Sequence, residues 1–60
     1  MKFRNITAET LVRVKYRPTW GICRVVYKTT NGSVLVEEAE RQDKIIRHFT
    51  NARCLVEKGD

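Results

Sequence analysis

Asn31-Gly32 sits between two apolar, β-branched runs, and it constrains the fold of this chain more than any other feature. Asn-Gly supplies the positive-φ residues that a two-residue type I′ turn demands, so it predicts a β-hairpin. With Asn31 and Gly32 as the turn, Thr30 pairs with Ser33, Tyr27 with Val36 and Lys28 with Leu35, in strands over about 21–30 and 33–37. Upstream, Leu11-Val12-Arg13-Val14-Lys15-Tyr16-Arg17 alternates with period two, which predicts a strand over about 10–17. Pro18 cannot donate to a ladder and Gly21 tolerates a tight turn, so the three strands follow one another as an antiparallel meander. Ahead of them, Phe3 and Ile6 form a short strand or a loop packed on the sheet.

Past Glu37 the period changes. Ala39, Gln42, Ile45, Ile46 and Phe49 fall on one face at helical spacing, and Glu37/Arg41, Glu40/Lys44 and Asp43/Arg47 are acid-before-base pairs at i,i+4. Lys44, Arg47 and His48 crowd the last turn, where the helix dipole favours cations, and Asn51 suits a left-handed stop. The spacing predicts a helix over 38–50, although no Ser, Thr, Asp or Asn stands at its N-cap. Ala52 to Glu57 then reads as a further strand, about 52–57. The expected fold is a single α+β domain, β-β-β-α-β, over 1–60: a three-stranded meander packed on one amphipathic helix. Val12, Val14, Tyr16, Cys23, Val25, Tyr27, Val34 and Val36 face that helix.

At 60 residues the chain buries only about 60% of its unfolded surface, which argues against a multi-part active site. Apolar residues at 42% and charged residues at 32% are a globular balance. No run approaches the roughly 20 apolar residues of a membrane span. Met1-Lys2-Phe3-Arg4-Asn5 is basic but has no apolar run behind it, so no secretory signal is read and a cytoplasmic protein is expected. Cys23 and Cys54 are too few for a disulfide framework and, with one histidine, too few for a zinc site; they are expected as reduced thiols, with no metal or cofactor.

Charge carries the functional reading. Net charge is +5. Residues 1–36 hold seven Lys/Arg against one Glu, +6, and residues 37–60 hold five against six acids, −1. Alternation puts Arg13, Lys15, Arg17, Arg24 and Lys28 together on the sheet face away from the helix. Like charges side by side cost stability unless something compensates, which points to nucleic acid, DNA or RNA, held by phosphate contacts. Trp20, beside them, is either a stacking platform for an unpaired base or a cap on the core. The ribonucleoprotein-type sheet motif, with two aromatics among basic residues, is absent. The same face carries Leu11, Ile22, Val26 and Leu35, anchors for the alternative: a non-catalytic protein-interaction module or inhibitor, of the accessory type phages and mobile elements carry, or a homodimer.

No catalytic constellation is visible. His48 has no nucleophile placed beside it, Cys54 reads as a core residue, and a helix spreads Glu37, Glu38 and Glu40 around its circumference. Gly21, Gly32 and Gly59 form no phosphate loop. The expectation is a binding protein without a small-molecule substrate.

Overall fold

The computed structural model describes residues 3–41 and 43–57. They form five strands, β1 (Leu11–Val14), β2 (Ile22–Lys28), β3 (Ser33–Glu38), β4 (Arg47–Asn51) and β5 (Leu55–Glu57), with three-residue 3₁₀ turns at Phe3–Asn5, Pro18–Trp20 and Ala52–Cys54. Asn31-Gly32 turns the chain in a loop one residue longer than expected. Thr29 N donates to Ser33 O at 2.9 Å, which leaves Thr30, Asn31 and Gly32 as the loop. Gly32 alone takes a positive φ there, 88°. Thr29 Oγ1 closes the loop by accepting from Ser33 N at 3.1 Å and bonding to the Asn31 side chain.

A second shift follows within β2. Lys28 opposes Val34 and Tyr27 opposes Leu35, but Val25 opposes Val36, so Val26 is the extra residue of a β-bulge. The bulge inverts the alternation beyond it. Tyr27, expected among the inward residues, joins Leu35 on the outer face. Lys28, expected outward, takes the side of buried Val34. Together the two shifts bring Arg24 opposite Glu37, a pairing the two-residue turn did not allow.

The helix expected over 38–50 is not formed, and the fold is all-β rather than α+β. Among the described residues the only helical segments are the 3₁₀ turns, and none is long and apolar enough to cross a membrane. The backbone N–H groups that a helix start would leave open are taken by the sheet: Glu38 N donates to Ile46 O and Ala39 N to Ile22 O, each at 2.9 Å. Residues 39–46 instead connect β3 to β4, which pairs with β3 from Ser33↔Asn51 to Glu37↔Arg47. Three i,i+4 pairs favour a helix by about 0.2–0.5 kcal/mol each. That is small beside a full ladder of hydrogen bonds in a segment rich in β-branched and aromatic residues: Ile45, Ile46, Phe49 and Thr50.

With no helix to cover it, the sheet buries its own inner face. Val12, Val14, Cys23, Val25, Val34, Val36 and Leu55 are at most 4% exposed, joined by Ile6 ahead of β1 and Ala52 after β4. Tyr16, at 70% exposure, is not among them. The strand order is β4-β3-β2-β1-β5, every neighbour antiparallel. Strands consecutive in sequence, β4 and β5, thus occupy opposite edges. In a flat sheet those edges stand about 19 Å apart, at roughly 4.8 Å per strand, whereas Asn51 to Leu55 spans at most about 14 Å even if extended. The sheet therefore curls towards a barrel. The crossing is pinned by Ala52 N donating to Gly32 O at 3.3 Å and Lys15 N donating to Cys54 O at 2.6 Å.

Candidate nucleic-acid interface

Period-two alternation in β1 buries Val12 and Val14 and turns Leu11 and Arg13 outward. The strand expected to run to residue 17 stops at Val14: the chain turns at Lys15 and Tyr16, and Arg17 N donates to Val14 O at 3.1 Å. Arg13 lies between Ile22 of β2 and Val56 of β5. Arg13 and Lys15 line a cleft of about 370 Å³ with Val14, Pro18, Gly21 and Val56. The Arg17 guanidinium stands 5.9 Å from the centre of the Trp20 ring. No described carboxylate lies within ion-pair distance of Arg13, Lys15 or Arg17. Glu40 is at the Gly21 end of the cleft, its Oε1 accepting from Ile22 N at 2.8 Å.

Arg24 is placed differently. Its guanidinium meets Glu9 at 3.6 Å and Glu37 at 3.4 Å, and Glu37 also meets Arg47 at 3.8 Å. Two arginines and two glutamates thus form a charge ladder over β2, β3 and β4, with Glu37 the most buried member. Lys28, beyond the bulge, is on the other side of the sheet from Arg13. Of the five cations expected on one face, Arg13 and Lys15 line one cleft and Arg17 lies over Trp20 in the turn that follows, none with a described acidic partner; Arg24 is engaged, and Lys28 is elsewhere.

Trp20 packs against the core, and its indole lies flat on the His48 imidazole. His48 Nε2 is 2.6 Å from Glu38 Oε2, and Arg41 Nε is 3.3 Å from Glu38 Oε1. The His48 hydrogen bond, with help from Arg41, holds the Glu38 carboxyl below its ordinary pKa despite burial. Next to Glu38 in register, Cys23 is buried, and that burial together with Glu38 and Glu40 pushes its thiol up to about 11. Both cysteines are free thiols. This cluster of Trp20, His48, Glu38 and Arg41 escaped sequence reasoning because a helix would hold Glu38 and His48 about 15 Å apart. Only the β3–β4 pairing brings them together.

The anchors of the alternative reading divide across the same face. Leu11 is 36% exposed, while Ile22, Val26 and Leu35 are half-buried. Leu35 lies between Tyr27 and Phe49, whose rings meet edge to face with centroids 6.4 Å apart and planes at 79°. Among the described residues no group of histidine, cysteine and acidic side chains is arranged to hold a metal ion. Comparison with protein-family models, curated proteins and solved structures finds no match to the chain.

Proposed function

We propose that this protein binds nucleic acid along the β1 side of its outer sheet face, with Arg13, Lys15 and Arg17 contacting successive phosphates. One observation carries the reading: three cations follow one another at alternate positions beside an open cleft, and no described acid neutralises them. Arg13 closes the exposed phase of β1 and Lys15 and Arg17 follow in the turn after it, so the three side chains leave the backbone at separate points and can meet separate phosphates. The Lys15 backbone is tied to Cys54 O and the Arg17 side chain rests on Trp20, which limits the conformational freedom lost on binding. Arg24 serves in the charge ladder and is not a phosphate contact in this reading.

Three contacts displace counterions with a log–log salt slope of about −2.7 on duplex and about −2.1 on single strands. The test is fluorescence anisotropy with labelled duplex DNA, single-stranded DNA and RNA at several salt concentrations. Arg13→Glu with Lys15→Glu should weaken binding and flatten the slope by about two contacts' worth. Wild-type binding confined to low salt and equal for all three probes would overturn the proposal, as would an unchanged slope in the double variant.

A further inference from the structure

Tyr27 and Phe49 are exposed at 49% and 61%, and they stand on the same outer face as Arg13 and Lys15. We infer that this aromatic pair is a stacking site for an unpaired base, so that the ligand of the face is single-stranded nucleic acid. The inference rests on the phosphate-binding reading of Arg13, Lys15 and Arg17 and adds the part that recognises bases.

The bulge at Val26 is the device that creates the site. Without an extra residue in β2, Tyr27 would keep the inward phase of Cys23 and Val25 and lose its place beside Leu35. With it, Tyr27, Leu35 and Phe49 form one row across β2, β3 and β4. The row of Arg24, Glu37 and Arg47 lies one step along the strands, and the row of Arg13 and Ile22 one step further. Each step is about 7 Å along the strands and each strand about 4.8 Å across, so Tyr27 stands roughly 15 Å and Phe49 roughly 20 Å from Arg13, within the reach of a few nucleotides. A base lying flat on one ring of the perpendicular pair meets the other ring at right angles.

Charge and shape together select the occupant. Across the face, Arg13, Lys15, Arg24 and Arg47 stand against Glu9 and Glu37, with Glu40 at the Gly21 end of the cleft, so the balance stays positive and favours an anion. A partner matching both features carries flat apolar groups and negative charges along one chain, which describes an unpaired polynucleotide. A duplex keeps its base faces stacked inside and has none to offer the rings. Stacking reads every base alike, so the site is expected to tolerate sequence.

The test uses the whole chain with three labelled probes: a 20-nucleotide oligothymidine, a duplex of equal length, and polyglutamate. Wild-type protein should prefer the single strand. Tyr27→Thr and Phe49→Thr, which keep strand-forming residues at exposed positions, should each weaken oligothymidine binding about ten-fold or more while leaving the salt slope unchanged. In unaltered protein, the ring protons of Tyr27 and Phe49 should shift on titration with oligothymidine, a readout that does not depend on either variant folding. Equal affinity for single strand and duplex, with those ring signals unmoved, would overturn the stacking site and leave the phosphate reading standing. Absence of binding to either nucleic acid at near-physiological salt would overturn both. Ring-dependent binding of polyglutamate alone would replace the nucleic acid with an acidic polypeptide.

Discussion

The Trp20 indole lies on the His48 imidazole with ring centroids 3.7 Å apart and planes 4° from parallel. That contact ties the Pro18–Trp20 turn, between β1 and β2, to the edge strand β4. It also leaves His48 Nε2 directed at the Glu38 carboxylate, 2.6 Å away. His48→Ala removes the stack, which is worth about 1 kcal/mol beyond the area it covers, and Tm should fall by about 4–8 °C. Trp20 fluorescence should redden as its ring face opens to water. An unchanged emission maximum in a folded His48→Ala protein would show that the two rings are not stacked in solution.

Glu38 makes the fold sensitive to acid. Its carboxyl pKa is lowered from the ordinary 4.5, so the folded state gives up this proton more readily than the unfolded chain does. The stability this contributes is fully present above pH 4.5 and is lost as pH falls through the lower folded value. Urea midpoints measured from pH 7 down to pH 3 should decline for wild-type protein. Glu38→Gln, less stable at neutral pH, should show a shallower acid limb. Parallel limbs for the two proteins would assign the acid sensitivity to other carboxylates.

Cys23 shows the opposite behaviour with pH. Its thiol is raised from 9.0 to about 11, so above pH 9.0 the unfolded chain ionises first and stability falls between those two values. At pH 8 the folded protein holds Cys23 as a buried, protonated thiol, inert to alkylation. Iodoacetamide labelling followed by peptide mapping should modify half-buried Cys54 first, with Cys23 labelled only as the fold opens. Rapid modification of Cys23 in native protein would contradict its burial.

The inward residues of the sheet were legible because period-two alternation is local: Val12, Val14, Cys23, Val25, Val34 and Val36 are all buried. Register was not. Asn-Gly signals a hairpin equally well with two or three loop residues, and the choice here depends on Thr29 closing the loop over Ser33. The Val26 bulge left no local mark, since Val25, Val26 and Tyr27 all favour strands wherever they point. Those two shifts decide which cations stand free. They give Arg24 to Glu37, move Lys28 to the other side, and expose Tyr27 beside Phe49. The segment over 38–50 misled for a different reason. Its apolar residues satisfy a helical period, but Ile45 and Phe49 end up 71% and 61% exposed, so the face they share in a helix is never buried. What the period could not convey was that the Ile46 carbonyl, just ahead of β4, and the Ile22 carbonyl of β2 offer Glu38 N and Ala39 N better partners than a helix without an N-cap.

Gly21 is the position where backbone and charge cluster meet most closely. Its φ of 66° and ψ of −151° belong to a region open essentially to glycine alone. A Cβ there would also run into Glu40 Oε1, the atom that accepts from Ile22 N. Gly21→Ala therefore meets two penalties, a backbone strain of about 1–3 kcal/mol and displacement of the Glu40 side chain. Tm should fall by about 10 °C. Glu40→Ala alone loses one hydrogen bond, a cost of about 1 kcal/mol. In the double variant the steric penalty has no partner atom left, so the two losses should sum to more than the measured effect, with the backbone strain as the remainder. Strict additivity in that cycle would show that Glu40 does not approach Gly21.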